Sequence, residues 1–316
     1  MSQEDIISMS EASQSALSKH RILLDTDIGD DIDDALALAL ALNSPEIDLL
    51  GITTVFGDTQ KRAQLAKHLL HVFGREDIPI AIGVEQPLQQ RHSPSGVAQA
   101  EILDDYPLNK EEFSTFSAPE LLVQKALEHN EQLTLVCIGP LTNVAMAILI
   151  DTSITMSIRN IIMMGGSSGI PLPEWNVRSD VKAAQIVFHS GIPITMIGLN
   201  VTTHCQLRRY DLARLRNSKA EQTQLLYQLI SIWQRHRPHW HPGRPYLHDP
   251  LTIAALCKPE LFRWQDMPVQ VLMRGPFGGF MVPRLLGGAS VRAAVGVDAK
   301  AAREWIVERL LKNQHV

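Results

Sequence analysis

Short apolar runs alternate with longer segments of helical pattern through the first two thirds of the chain. Each run is apolar at both odd and even positions, which is typical of parallel strands covered on both faces. The runs predict strands at 21–25, 50–55, 78–82, 133–138, 160–164 and 193–197. The intervening segments predict helices at 33–43, 59–73, 118–129, 142–150 and 179–190. Regular strand-helix alternation predicts an α/β fold.

The Ala-Leu repeat at 35–42 has a period of two, which taken alone indicates a strand. Ala and Leu are both strong helix formers and no β-branched residue interrupts the repeat, so we interpret it as a helix. After residue 205 the pattern is helical around 208–237 and 251–258. A strand is then predicted at 267–274, and an amphipathic helix at 298–312 closes the sequence.

Bulk composition limits the possible architectures and partners. A chain of 316 residues with 45% hydrophobic content can bury a large core. We therefore expect one α/β domain over 21–316, with a central, mostly parallel sheet flanked by helices, behind a flexible tail over 1–20. The net charge of -5 and the lack of a Lys/Arg run argue against nucleic acid as a partner.

Cysteine content and hydropathy indicate the cellular compartment in which we expect the protein. The three cysteines are scattered without a CxxC pair, which predicts neither a disulfide framework nor a zinc knuckle. The first 20 residues lack an apolar core of signal-peptide length, and no apolar run reaches membrane-spanning length. We expect a cytoplasmic protein without a membrane partner.

A cluster of aspartates lies where the first predicted strand runs into the first helix. Carboxylates packed closely take up protons or share a cation, and oxygen ligands favour calcium or magnesium over zinc. A solvated loop whose acids cap the helix accounts for one or two of these residues, not for all. A metal site is therefore predicted, with a magnesium-binding DxD phosphatase turn as an alternative. The cluster consists of Asp25, Asp27, Asp30, Asp31, Asp33 and Asp34.

Two further groups of polar residues follow predicted strands. Asp58 comes after the second strand, where it can serve as a functional carboxylate or simply cap the next helix. Met164 ends another strand and is followed by glycines, Glu174 and Asn176. The glycines form a bare turn or allow the backbone to approach a ligand, but their spacing fits no phosphate loop. Glu174 and Asn176 suit sugar hydroxyls if both face one pocket.

His248 and Asp249 form the last candidate group. A single histidine is more often a structural hydrogen-bonding residue than a catalyst. The adjacent Asp249, however, offers an oxygen ligand far from the aspartate cluster in sequence. A metal site closed by distant segments is more plausible than one formed by a single turn.

These motifs together resemble the inosine-uridine-preferring nucleoside hydrolase family, from Arg21 to the closing helix. Five motifs occur in the family's order: Asp25-Thr-Asp27-Ile-Gly29 with Asp33-Asp34; Ile52-Thr-Thr-Val-Phe-Gly57-Asp58; Gly139-Pro-Leu-Thr142-Asn143; Met164-Gly165-Gly166 with Glu174-Trp-Asn176; and His248-Asp249-Pro250. The resemblance implies calcium-dependent hydrolysis of the N-glycosidic bond of ribonucleosides, giving free nucleobase and ribose. It also implies purine or pyrimidine salvage by a homodimer or homotetramer.

Residue roles follow from the same resemblance. The calcium ligands would be the carboxylates of Asp27, Asp34 and Asp249 and the carbonyl of Ile138. Asp27 would be the general base, acting on a calcium-bound water. The ribose would be held by Asp33, Asp58, Met164, Glu174 and Asn176. His248 would protonate the leaving base, with His241 or Tyr246 as alternatives and Trp240 as a stacking partner for the base.

The chain departs from the family pattern mainly at the aspartate cluster. The commoner turn is DTDPGxDDA, whereas here two extra residues separate Gly29 from Asp33, so that Asp30 and Asp31 are surplus. If the family turn is instead aligned from its N-terminal end without the insertion, Asp31 takes the position given to Asp33. These changes leave base preference open and allow a modified riboside as substrate. The phosphatase, for which no downstream lysine is found, and a non-catalytic calcium-dependent nucleoside sensor are the competing hypotheses.

Overall fold

The computed structural model describes seven stretches of the chain, namely 19–89, 96–105, 113–169, 172–237, 243–272, 278–283 and 289–312. Residues 1–18 of the expected tail lie outside this set, and the first strand already begins at His20. No helix in these stretches is long and apolar enough to cross a membrane.

A nine-stranded sheet in the order β3-β2-β1-β4-β5-β6-β9-β7-β8 forms the centre of the described structure. All pairs from β3 to β9 in this order are parallel, and β7 is antiparallel to both of its neighbours. The predicted mostly parallel sheet is therefore confirmed. The strands are β1 (His20–Thr26), β2 (Ile47–Thr54), β3 (Ile80–Ala81), β4 (Leu133–Cys137), β5 (Ile158–Met164), β6 (Ile194–Ile197), β7 (Phe262–Val271), β8 (Met281–Pro283) and β9 (Ala289–Val297).

Helices cover both faces of this sheet. In the described stretches they are α1 (Asp33–Leu42), α2 (Thr59–Val72), α3 (Ala118–Glu128), α4 (Thr142–Ile150), α5 (Ile154–Ser157), α6 (Trp175–Ser179), α7 (Val181–Phe188), α8 (Leu199–Thr202), α9 (Arg209–Asn217), α10 (Glu221–His236), α11 (Pro250–Cys257) and α12 (Ala299–Leu310). Two 3-10 helices span Ala98–Asp105 and Pro259–Leu261.

The two faces of the sheet carry separate hydrophobic cores, and successive strand residues enter opposite cores. Leu24 of β1 and Val136 of β4 pack in one core, whereas their neighbours Leu23 and Leu135 pack in the other. Side chains of a strand alternate between faces, so a strand covered on both sides must be apolar at every position. This burial explains the apolar runs in the sequence.

The Ala-Leu repeat is a helix, as predicted. All ten residues of α1 are buried, because the helix packs between the sheet, α11 and α12. A helix surrounded on all sides needs no polar face, and its apolar pattern therefore loses the usual helical period.

The structure differs from the sequence prediction after residue 205. The helical region 208–237 is two helices, α9 and α10, because the extended backbone at Ser218 interrupts it. β7 begins at Phe262, five residues before the predicted strand, and β9 was not predicted. Both strands lie toward the antiparallel side of the sheet, where partial exposure breaks the apolar run.

The order in which strands are added to the sheet reverses at β1, although the strands themselves stay parallel. Its neighbours are β2 on one side and β4 on the other, so that successive connections lead away from β1 in opposite directions. Such a topological switch point leaves a crevice at the carboxyl ends of the strands, where open α/β sheets bind ligands. The aspartate cluster follows β1 at this crevice.

Candidate active site

A cavity of about 600 Å³ opens at the carboxyl ends of β1, β4 and β5. Apart from the alternatives to His248, the resemblance assigned a role to ten residues, and all of them except Asp58 line the cavity. The structure therefore brings together side chains that the sequence places in five separate segments. The predicted residues in the lining are Asp27, Asp33, Asp34, Ile138, Met164, Glu174, Asn176, His248 and Asp249.

Asp58 lies outside the cavity lining and caps a helix. Its Oδ1 accepts a hydrogen bond from the Lys61 backbone N–H at 3.0 Å, at the start of α2. Its Oδ2 lies 3.5 Å from the Lys61 ammonium, and 43% of the side chain is exposed. The structure thus favours the capping role over the ribose contact that the resemblance implied.

The turn after β1 is held by its own side chains and by a close neighbour. Thr26 donates from Oγ1 to Asp34 Oδ1 at 2.5 Å and accepts from the Ile28 N–H at 3.1 Å. Gly29 has a φ of 122°, and a Cβ at this position would clash with Val97 Cγ1. Only glycine fits this conformation and this close approach, which explains why the turn contains it.

Three buried carboxylates form the tightest acidic cluster found in the described residues. Oxygen atoms of Asp33, Asp34 and Asp249 all lie within 4.8 Å of one another. Asp27 and the Ile138 carbonyl line the same cavity. This all-oxygen donor set fits a hard divalent cation. The cluster contains Asp33, which the resemblance assigned to ribose, so Asp33 is also placed to act as a ligand.

Burial dominates the electrostatics of these carboxylates. It raises the pKa of Asp27 to about 7, although the nearby Arg62 guanidinium opposes this shift. The pKa values of Asp33, Asp34 and Asp249 are raised well above the ordinary value by burial and then by neighbouring aspartates. Negative charges in such a site are stable only with protons or a cation, and a bound cation would replace the protons.

Asp25 supports the turn from outside the cavity. Its Oδ1 accepts hydrogen bonds from Thr53 Oγ1 at 2.6 Å and from Asn143 Nδ2 at 2.7 Å. Burial raises the pKa of Asp25 to about 6 against these two donors. Asn143 also donates to the Thr54 carbonyl and accepts from the Val84 N–H, so it joins the ends of three segments. The first aspartate of the DxD motif is therefore structural here.

Glu174 and Asn176 form one wall of the cavity through backbone contacts. Glu174 Oε1 accepts from the Asn176 N–H at 2.7 Å, and Oε2 accepts from the N–H groups of Val177 and Gly166. Asn176 Nδ2 donates to the carbonyls of Ile138 and Met164, at 2.9 and 3.2 Å. Burial raises the pKa of Glu174, while its backbone donors oppose the shift.

His248 faces the cavity from the segment before α11. Its Nδ1 is 2.7 Å from Thr202 Oγ1, and its ring lies 5.3 Å from that of Tyr246. Tyr246 does not line the cavity. His241 and Trp240, which the sequence analysis also considered, lie outside the described residues.

Residues 22–304 match the family model described as "Inosine-uridine preferring nucleoside hydrolase". The chain belongs to this family. Its members hydrolyse the N-glycosidic bond of ribonucleosides, so this nucleoside hydrolase acts on N-glycosyl bonds. The family is metal-dependent, in agreement with the carboxylate cluster. The phosphatase and the non-catalytic sensor are therefore set aside.

Individual nucleosidases and nucleoside hydrolases are similar to this nucleoside hydrolase over nearly its full length. A pyrimidine-specific ribonucleoside hydrolase, RihA of Shewanella baltica, is 39% identical over 93% of this chain and 96% of its own. A probable uridine nucleosidase of Arabidopsis thaliana is 32% identical over 93% of this chain and 98% of its own. The solved structure of a plant nucleoside hydrolase superimposes with a TM-score of 0.83 at 30% identity, covering 93% of this chain and 99% of that chain.

The structure also shows site features that the sequence analysis missed. Arg62 is fully buried beneath the aspartate turn and pairs with Asp30, one of the two surplus acids. The other, Asp31, lines the cavity, and its carbonyl accepts from Gln99 Nε2 at 2.6 Å. The cavity lining also includes Trp175, Trp233, His236 and Arg237. Trp175 lies between two predicted site residues, which could have indicated its position.

Proposed function

We propose that the protein is a calcium-dependent ribonucleoside hydrolase in which Asp27 is the general base. The observation that carries this proposal is that Ile138 and the buried carboxylates of Asp27, Asp34 and Asp249 line one cavity. A calcium ion held by these oxygens supplies positive charge that makes a neighbouring water more acidic. Asp33, whose oxygens belong to the tightest cluster, is a further ligand or a ribose contact.

Asp27 suits proton abstraction because its buried carboxylate lies in the cavity beside the other proposed metal ligands, where a bound cation would keep it ionised and able to accept a proton. In the proposed reaction Asp27 takes a proton from the attacking water as the oxygen adds to the anomeric carbon. No covalent sugar intermediate is needed, and the configuration of the anomeric carbon is inverted.

The surrounding acids stabilise the charge that develops on the sugar. Cleavage of an N-ribosidic bond builds positive charge on the ring as the base departs with the bonding electrons. Fixed carboxylates aimed at a water-poor site stabilise such charge strongly, because they need little reorganisation during the reaction. Asp27 and Asp33, which both line the cavity, supply this field.

The ribose hydroxyls are proposed to bind along the wall that contains Glu174, Asn176 and Met164. The amide of Asn176 is fixed by two backbone carbonyls, which leaves its Oδ1 oriented for a hydroxyl donor. Asp33 lines the same cavity and is proposed to contribute a further contact to the sugar. Asp58 is not included, because its carboxylate caps α2.

Protonation of the departing base is assigned to His248. Its Nδ1 lies 2.7 Å from the Thr202 hydroxyl oxygen, which orients the ring in the cavity lining. We propose pyrimidine ribonucleosides, with uridine first, as substrates. Support comes from the pyrimidine-specific and uridine-cleaving relatives at 39% and 32% identity. A modified riboside is the alternative.

We also propose that the protein works in the cytoplasm, in nucleoside salvage, as a homodimer or homotetramer. The scattered, unpaired cysteines support a reducing compartment. The relatives, which are nucleosidases, support the metabolic role.

The test of this function is ribose release from a panel of ribonucleosides, with and without a calcium chelator. Uridine hydrolysis that stops with chelator and returns with calcium, but not with magnesium, is the expected result. Release that persists in chelator would refute the metal requirement. No release from any member of the panel, with calcium bound, would indicate a modified riboside.

A further inference from the structure

We propose that Arg62 is a positioning residue of the active site, a buried cation that fixes the backbone of the aspartate turn and so determines where Asp27 lies. This inference rests on the proposed function for its catalytic consequences. Its structural part, that the Arg62 guanidinium holds residues 27–30 in place through hydrogen bonds, can be tested without an activity assay.

The Arg62 side chain is fully buried, and it donates hydrogen bonds to acceptors in the turns around it. Nη1 donates to the carbonyl of Asp27 and, at 2.9 Å, to that of Ile28. Nε donates to the Phe56 carbonyl at 2.6 Å, and Nη2 to Asp30 Oδ2 at 2.8 Å. The planar guanidinium presents several donors in a rigid arrangement, which lets one side chain bind four separate acceptors.

These acceptors follow the ends of two neighbouring parallel strands. Asp27 and Ile28 follow β1, whereas Phe56 follows β2. Phe56 has a φ of 66°, a conformation that is strained for a bulky side chain and therefore needs support from its surroundings. Its ring packs edge-on against Trp175, with centroids 6.4 Å apart, on the cavity wall. Through Phe56, Arg62 thus connects the turn after β1 with Trp175 of the cavity lining.

Asp30 gains a role in this arrangement. It is one of the two residues by which the turn exceeds the commoner family pattern, and its carboxylate completes the set of Arg62 acceptors. On the other side of the turn, Gln99 donates from its backbone N–H to the Gly29 carbonyl at 2.9 Å and from Nε2 to the Asp31 carbonyl. The longer turn is therefore anchored from both α2 and the 3-10 helix.

Burying a guanidinium is unfavourable unless its donors are satisfied and its charge is balanced. Here three of the acceptors are neutral carbonyls, and the fourth is the carboxylate of Asp30, 2.8 Å from Nη2, which balances the charge. The permanent cation beneath the turn also offsets repulsion among the carboxylates of the site when they are ionised. Arg62 is suited to hold the turn in shape before substrate and metal are bound.

The variants that test this role are Arg62→Met, which removes the charge and donors, and Arg62→Lys, which keeps the charge in a single ammonium. Arg303→Met is the matched control. Arg303 is also buried, pairs with Asp211 at 3.3 Å, and does not line the cavity. Each protein is characterised by circular dichroism, calcium titration calorimetry, amide hydrogen exchange of residues 25–34, and uridine kinetics.

For Arg62→Met we expect faster amide exchange across 25–34 in calcium-free buffer and a calcium Kd weakened by about 10-fold. At saturating uridine, kcat should fall by about 100-fold, because a displaced base loses its alignment with the reacting atoms. Arg62→Lys should fold and show the same changes to a smaller degree. Arg303→Met should lose thermal stability but keep the exchange of 25–34, the calcium Kd and kcat within about twofold.

The proposal would be overturned if both Arg62 variants kept the wild-type calcium Kd and the wild-type rates of amide hydrogen exchange across residues 25–34. Equal losses in Arg303→Met would also overturn it, because they would show a general effect of losing a buried arginine. If Arg62→Met does not fold, Arg62→Lys decides by the same criteria. A wild-type protein that binds calcium but does not cleave uridine would refute the uridine assignment, while exchange and calcium affinity would still report on Arg62.

Discussion

The backbone N–H of Asp249 donates to Asp33 Oδ2 at 3.3 Å, across 216 positions of sequence. This contact joins the start of α11 to the start of α1, two helices that also pack against each other. It brings the Asp249 carboxylate to the cluster formed with Asp33 and Asp34. The site is therefore closed by tertiary packing, and the aspartate turn alone is not sufficient.

Removing the distant ligand should weaken metal binding more than it weakens the fold. We expect Asp249→Asn to raise the calcium Kd at least about 10-fold, since one charged oxygen ligand is lost from the set. Titration calorimetry measures the change. Asp211→Asn, which alters a buried carboxylate paired with Arg303, should keep the wild-type Kd. A calcium Kd for Asp249→Asn equal to that of the wild type would show that other residues complete the metal site.

Replacement of the proposed base should separate catalysis from folding. We expect Asp27→Asn to reduce kcat for uridine by about 10³-fold, because the variant cannot accept the proton of the attacking water. Its circular dichroism spectrum should match that of the wild type. Asp298→Asn, which changes a helix-capping carboxylate on α12, is the control. Near-full turnover in the Asp27 variant would remove this residue from the mechanism.

The strands at the centre of the sheet could be predicted because each is covered on both faces. β1 and β4 alternate between two cores, and this double burial produces apolar runs that are visible locally. β9 could not be placed in the same way. It lies between β6 and β7 in the sheet, although it follows both in sequence, and its exposed positions interrupt the apolar pattern. Its position depends on pairing between distant segments.

The carboxylates that line the cavity could be identified from their motifs, whereas Arg62 could not. A charged residue near the start of an amphipathic helix gives the same local signal whether it faces water or the interior. The burial of Arg62 depends on carbonyls after β1 and β2, which only the folded chain brings together. Asp58 shows the opposite case. Its position after a strand indicated either a ligand-binding role or a helix cap, and in the structure its Oδ1 caps α2.

The stability of the metal-free protein should fall as pH rises through the range in which Asp27 ionises. The native pKa of Asp27 is about 7, against an ordinary value of 3.8, so the folded state binds more protons than the unfolded state between these values. Stability linked to this group is therefore fully present below pH 3.8 and is lost toward pH 7. In chelator, Asp27→Asn should gain thermal stability relative to the wild type as pH increases. Saturating calcium should abolish that gain, because it pairs with the ionised wild-type carboxylate. A stability difference that does not change with pH in chelator would contradict the raised pKa.

The role of His248 can be isolated by the choice of leaving group. We expect His248→Ala to lose about 100-fold in kcat/KM with uridine, because the base then departs without general-acid assistance. With 4-nitrophenyl β-D-riboside, whose leaving group needs no proton, the loss should be small. Thr202→Val removes the hydroxyl at 2.7 Å from Nδ1 and should produce a weaker version of the same selectivity. Equal losses on both substrates would place His248 in ribose binding or structure instead.

Ribose recognition should make the enzyme strongly selective against 2′-deoxyribosides. Buried Asp33, Glu174 and Asn176 surround the proposed sugar site, and a missing hydroxyl would leave polar atoms there without a partner. Sites that bind a substrate hydroxyl reject analogues lacking it by about 10⁴-fold, so we expect a decrease of that order in kcat/KM for 2′-deoxyuridine. 5-Methyluridine, which changes only the base, should lose far less. Comparable cleavage of uridine and 2′-deoxyuridine would show that the sugar is held elsewhere, and it would remove these residues from the ribose site.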